Sequence, residues 1–187
     1  MELINYLEYN SIVILSFFFI SLFSLILNFL TNGKSNKVLF SSYRSSFLSP
    51  LTYIRLFTHI FGHANWSHFM NNFLYILLIG PIIEEKYGSA NLIIMFMIVA
   101  VVTGILNSLF SKKIILGASG IVFMLIILSS FVNITANKIP LTLILICVFY
   151  VINEILSVFK KDNISHVGHL IGALCGFIFG FYAIKYM

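Results

Sequence analysis

Charge is what this sequence has least of. Only 9% of its 187 residues are Asp, Glu, Lys or Arg, against about 25% in a typical soluble domain. That is too little polar surface to clothe a water-soluble globule, so lipid is the natural solvent of the chain. Acid is scarcest of all, with a single aspartate, Asp162. The two cysteines, Cys147 and Cys175, both lie inside apolar runs; this excludes a disulfide framework and reads as small core residues. The Lys and Arg residues are scattered singly or in pairs, which excludes the continuous basic face of a nucleic-acid binder. The first ten residues hold Glu2 and Glu8 and no basic residue, unlike the basic start of a cleavable signal, so the first apolar run is read as an uncleaved span.

What is present is apolar. Hydrophobic residues make up 60% of the chain and mean hydropathy is +1.04. A membrane-spanning helix needs roughly 20 mostly apolar residues. Six runs qualify, at about residues 11–30, 66–83, 91–110, 117–132, 139–159 and 165–183. Pro140 falls in the first turn of the fifth, where proline is tolerated. The expected fold is an all-α, polytopic bundle of six transmembrane helices forming one membrane domain over residues 1–187. Residues 31–65 are too long and too aromatic for a simple turn and are broken at Ser49-Pro50. They are expected to lie in the membrane interface as short, partly embedded helices.

Six spans in series alternate in direction, so the second, fourth and sixth start on one membrane face. The conspicuous polar residues sit in the first turns of these three: His68 and Asn72, then Gly117-Ala118-Ser119-Gly120, then His166 and His169. His68 and Asn72 share a helix face, as do His166 and His169. Ionisable groups at membrane depth usually face a bundle interior or a wet cavity, so one polar pocket shared by three helices is expected. The sixth span also carries Gly168, Gly172, Gly176 and Gly180. Small residues at every fourth position let two helix backbones approach closely.

A serine becomes a nucleophile when a base takes its proton, and His169 is a candidate base for Ser119. A triad would add a buried carboxylate, but Asp162 lies in a loop and no glutamate is obviously placed. A Ser–His dyad is therefore expected, with the imidazole oriented by packing against Phe123, one turn below Ser119. Acyl transfer also needs oxyanion donors. The backbone N–H of Ser119 at a helix start, the Asn72 amide and a His68 ring N–H are available.

These residues resemble the rhomboid intramembrane serine proteases. The resemblance covers about residues 53–180. It rests on His63-x4-His68-x3-Asn72, on Gly117-Ala118-Ser119-Gly120 and on His169-x2-Gly172-x3-Gly176, with Arg55 before Thr58-His59 and Glu84 before Tyr87-Gly88-Ser89. It implies a Ser119–His169 dyad, an oxyanion site of His68, Asn72 and Ser119, helix packing at Gly117, Gly120, Gly172 and Gly176, and structural roles for Arg55 and His63. It implies no metal and no organic cofactor. The substrates it implies are membrane proteins cut in a helix-destabilised transmembrane segment. Ile54 and Phe123 stand where this family often has Trp and Tyr. His166 is set aside as the base because the Gly172/Gly176 spacing selects His169.

The same resemblance places the N-terminus in the cytoplasm of a multi-pass plasma-membrane protein whose site opens to the non-cytoplasmic side. The distribution of Lys and Arg argues the other way. The face of the long loop has eight of them and the opposite face three. Two rival classes fit less well. A transporter would show repeat symmetry and polar residues at mid-membrane. A zinc protease could draw on His59, His63 and His68, but the chain has no His-Glu-x-x-His motif. A non-cutting relative would usually lack the serine or the histidine, and both are present.

Overall fold

The computed structural model describes residues 8–132, 134, 139–158 and 166–186. Lys160, Lys161 and Asp162 lie outside them. Apolar runs become helices because every backbone polar group in lipid must be satisfied within its own segment. The described residues form eight: α1 (Ile12–Leu30), α2 (Lys34–Val38), α3 (Pro50–Thr58), α4 (Trp66–Tyr87), α5 (Ser89–Phe110), α6 (Ser119–Ser129), α7 (Leu141–Val158) and α8 (His166–Tyr186). Together they make an all-α, polytopic membrane bundle. Of these, α1, α4 and α5 are by length and composition able to cross a membrane. The long connection after α1 folds as α2, α3 and a 3-10 turn at His59–Phe61, packed on the loop-side ends of α1 and α5.

The second and fourth runs differ in extent from the sequence reading. The charged Glu84-Glu85-Lys86 stretch, expected to stop the second span, stays helical through Tyr87. The reason is Glu84. Its side chain is buried, and its carboxylate accepts the backbone N–H groups of Val13 (3.0 Å) and Ile14 (3.1 Å) and the hydroxyl of Ser89 (2.6 Å). The first N–H groups of a helix have no partner within it; here α4 supplies the partner for α1. Gly88, at φ +80°, then turns the chain directly into α5.

The fourth run becomes α6, which has only 11 residues, about 16 Å at 1.5 Å per residue, against roughly 30 Å of hydrocarbon. It starts inside the bundle, and residues 115–118 reach it in an irregular path. Non-helical backbone at such depth is tolerated only where protein or a polar cavity satisfies it. Ser42 and Ile115 provide this through an isolated antiparallel bridge, with N–H···O distances of 2.8 and 2.9 Å. Asn107 donates to the Ser42 and Lys113 carbonyls at 3.3 and 3.0 Å.

The core is aliphatic and aromatic. Phe17 of α1 meets Phe61, Phe73 and Phe96 with ring centroids 5.2–5.4 Å apart. Around α6, Ile121, Met124, Leu125 and Leu128 are fully buried, so α6 is surrounded where the other helices keep a lipid-facing side. A second cluster packs Leu143 of α7 with Ile127, Phe131 and Ala173.

Replacing Glu84 by alanine strands three donors in a low-dielectric interior. A hydrogen bond to a charged group is worth about 1.5–3 kcal/mol, so Glu84→Ala should cost at least about 3 kcal/mol and visibly lower the unfolding temperature in detergent. Glu84→Gln keeps one acceptor and should lose less. Equal melting of all three proteins would rule out this account.

Candidate active site

The site is built where α6 begins. Gly117 sits at φ +115°, a backbone state that side chains disfavour, and its N–H donates to the His59 carbonyl at 2.9 Å. Space also demands glycine here: a methyl on Gly117 would lie 2.7 Å from Nε2 of His68 and 3.7 Å from Nδ2 of Asn72. The turn before Ser119 is therefore pressed against His68 and Asn72. Ala118 is fully buried and ends that turn, and Ser119 is the first residue of α6.

His68 is held at the start of α4, where its N–H is capped by the Asn65 side chain at 2.8 Å. The Ala64 N–H approaches its Nδ1 at 3.5 Å, which makes Nδ1 the acceptor and leaves the proton on Nε2, toward Gly117. Asn72 is buried one turn on, and its amide donates to the His68 carbonyl at 3.1 Å. Both are thus presented as N–H donors beside the helix start.

The second wall comes from α8. A methyl on Gly172 would overlap the carbonyl oxygen of Gly120, one on Gly176 would come within 2.8 Å of the Met124 oxygen, and one on Gly120 within 3.2 Å of the Gly168 oxygen. The two helices therefore touch backbone to backbone beside Ser119 and His169. The imidazole of His169 lies 4.4 Å from the ring of Phe123, centroid to centroid, at 39°. Phe123 is one turn from Ser119 on the same helix face, so His169 covers the face of α6 that bears the serine. Gly180, farther along, abuts the Phe131 ring. The side chain of His166 lies outside the described set.

A cavity of about 30 Å³ opens beside Ser119, with His59, Thr103, Gly117 and Gly168 among its lining residues. That is room for one or two waters. Thr103 Oγ1 is buried and has no protein partner. His59 donates from Nδ1 to the Arg55 carbonyl at 3.0 Å, since a carbonyl can only accept, leaving Nε2 as an acceptor. The sequence alone gives neither His59 nor Thr103 a place beside Ser119. The signal is there: Thr103 and Asn107 are polar positions one turn apart in a mostly apolar span. Among the described residues no group of His, Cys, Asp or Glu is arranged to hold a metal.

Arg55 and His63 lie behind the site. Arg55 is buried, donates to Tyr43 Oη at 2.6 Å and Ser45 Oγ at 3.0 Å, and stacks 4.3 Å over the Tyr43 ring. His63 is fully buried between the rings of Phe69, Phe73 and His68, at 5.1–5.7 Å. Burial holds both loop imidazoles neutral. It lowers His59 from 6.5 to about 4 and, with the neighbouring His68 adding to the effect, His63 to about 3.

The rhomboid domain model matches residues 50–186, from the start of α3 to the end of α8. The chain belongs to the rhomboid family. Among its relatives, RHOMBOID-like protein 1 of Arabidopsis thaliana is 34% identical over 133 residues, 68% of this chain and 33% of the relative. Rhomboid-like protein 11, chloroplastic, of the same plant is 26% identical over 65% of this chain and 49% of its own length. The Rhomboid protease GlpG of Salmonella newport is 37% identical over 71 residues, 38% of this chain and 26% of that protein. The chain spans half or less of the length of these curated relatives.

The buried loop histidines of this rhomboid domain make its stability depend on pH. Unfolded, each titrates near 6.5; folded, each titrates well below. Between about pH 6.5 and 4 the unfolded chain binds more protons, so stability is full above this window and falls as pH drops through it. The melting temperature in detergent should fall steadily from pH 7 to pH 4, and less steeply in His63→Asn. A His63→Asn slope equal to that of wild type would show that His63 is not held neutral.

Proposed function

We propose that this chain is an intramembrane serine endopeptidase that cleaves transmembrane segments of membrane proteins through a Ser119–His169 dyad and an acyl-enzyme. The observation that carries the reading is the convergence at the start of α6. Ser119, the His169-covered face and the N–H donors of His68 and Asn72 meet around one glycine-lined turn. Membership of the rhomboid family, with a relative named as a protease, supports it.

The chemistry follows from the groups. His169 takes the Ser119 proton as Oγ attacks the scissile carbonyl carbon. The negative oxygen that forms accepts hydrogen bonds from the Ser119 N–H at the helix start, from His68 Nε2–H and from the Asn72 amide. Collapse expels the amine, which receives the proton back from His169 and leaves an acyl-serine. Water from the His59/Thr103 cavity, deprotonated by the same imidazole, then releases the acid. Packing on Phe123 orients the imidazole in the place of a carboxylate. Because helical peptide bonds are shielded and already hydrogen-bonded, the substrate is a span with small or helix-breaking residues. In this reading the protein lies in the plasma membrane, with the site open to the non-cytoplasmic side.

Cleavage of a fluorescently tagged model transmembrane substrate in detergent tests the chemistry. Ser119→Ala and His169→Ala should each lower turnover by at least about a thousandfold, in line with loss of a nucleophile or its base, whereas His166→Ala and Asp162→Asn retain it. Thr103→Val should still be labelled by a fluorophosphonate but turn over more slowly. A wild-type protein that neither cleaves nor takes the label would indicate a non-catalytic relative. If Asp162→Asn abolishes cleavage in a folded protein, the dyad gives way to a triad.

Orientation is tested separately. A reporter fused to the C-terminus should read out in the cytoplasm, since six spans return the chain to the side of its N-terminus. A C-terminal signal from the other side would reverse the assignment and vindicate the Lys/Arg distribution.

A further inference from the structure

The bridge that steadies the approach to Ser119 also gathers positive charge. Ser42 and Ile115 pair antiparallel. The bridge lays the stretch after Ser42, which carries Arg44, beside the stretch before Ile115, which carries Lys112 and Lys113. Asn107 ties the Lys113 carbonyl to that of Ser42. Lys37 of α2 is tied to the same loop: its carbonyl accepts the Tyr43 hydroxyl at 3.2 Å, and Tyr43 adjoins Arg44. All four cations are exposed. Among the residues whose side chains are described, the carboxylates Glu8, Glu84 and Glu85 lie before α1 and at the end of α4.

A positive pair after α5 has an ordinary explanation, because cations favour the negative end of a helix. That accounts for Lys112 and Lys113 and not for Lys37 and Arg44, which the fold brings to them from a different segment. The surroundings add a second constraint. Phe110 and Leu48 are 82% and 95% exposed, and Phe47 and Ile114 are exposed beside the cations. Large apolar side chains next to unneutralised cations fit neither bulk water nor hydrocarbon. They fit the headgroup boundary, where acyl chains meet phosphate.

We propose that Lys37, Arg44, Lys112 and Lys113 form a binding site for the phosphate headgroup of an anionic phospholipid, with Phe47, Leu48, Phe110 and Ile114 seated against its acyl chains. The site serves either membrane orientation, since it needs only an anionic leaflet. It gives a local reason for the surplus of cations on the loop face. Binding at Lys113 also braces the segment that leads through Ile115 and Leu116 to Gly117 and the serine.

The test reads bound lipid and not proteolysis, so it stands whether or not the chain is a protease, and Ser119→Ala protein serves equally well. Detergent-purified protein is titrated with phosphatidylglycerol or with phosphatidylcholine of the same acyl chains, and retained lipid is counted by native mass spectrometry. Phosphatidylglycerol should be retained in preference. Each cation at an anionic surface contributes about fivefold, so Lys112→Gln/Lys113→Gln should lower that retention about tenfold or more, and Lys37→Gln/Arg44→Gln similarly. Lys86→Gln, on the opposite face, should leave it unchanged. Matching melting temperatures check that the variants fold. Equal retention of the two lipids, or undiminished retention in the combined four-residue variant, overturns the proposal. So does competition by millimolar glycerol phosphate as effective as by the lipid, which would make the site one for a soluble anion.

Discussion

Everything at the site depends on two helices being allowed to touch. Ordinary helix pairs stand 8–10 Å apart because side chains hold them off. Between α6 and α8 the side chains are removed at Gly120, Gly172 and Gly176, and carbonyl oxygens of one helix fill the space where methyl groups of the other would be. In lipid there is little hydrophobic force between helices, so close van der Waals contact has to hold them together. The same contact sets the geometry of the candidate site. Gly120 follows Ser119 and Gly168 precedes His169, so the packing that binds the helices also aligns the serine face of α6 with the imidazole.

The second dependence is on the loop between α1 and α4, which acts as a scaffold for backbone that lipid would not tolerate. The His59 carbonyl holds the N–H of Gly117, Ser42 pairs with Ile115, and Asn36 donates to the His63 carbonyl at 2.9 Å. Arg55 and Tyr43 lock the loop upon itself. With these bonds in place the chain can enter the bundle without a helix, begin α6 there, and leave a cavity with room for one or two waters beside Ser119. A continuous fourth span would have carried its first turn to the membrane surface, and the serine with it.

Much of this architecture is legible from composition and spacing. Scarce charge and six long apolar runs imply a polytopic helical bundle, and alternation of direction brings His68, Asn72, Ser119 and His169 to one end. Glycines at every fourth position announce a close helix crossing. Other features were not legible, and each for a definite reason. Glu84 reads as an interfacial stop because its partners, the N–H groups of Val13 and Ile14, are some seventy residues away and carry no side-chain signature. The fourth run is longer than α6 at both ends because hydropathy cannot distinguish a helix from the apolar backbone that leads to and from it. Thr103 and His59 escape notice because their meeting beside Ser119 joins a span to a loop.

Periodicity and composition are properties of single segments, and they suffice for what a segment does alone: whether it is helical, whether lipid suits it, which residues share its face. On that basis the number of runs, their direction, and the grouping of the polar residues follow from the amino-acid order. Depth, contact and protonation are properties of pairs. Where Ser119 begins its helix within the bundle, which ring lies over which, which backbone group answers the Glu84 carboxylate, and why His59 and His63 stay neutral all depend on segments distant in the chain. They were settled when the loop folded back onto α1 and α5 and when α8 closed on α6, because only then did buried polar groups acquire their partners and lose their water.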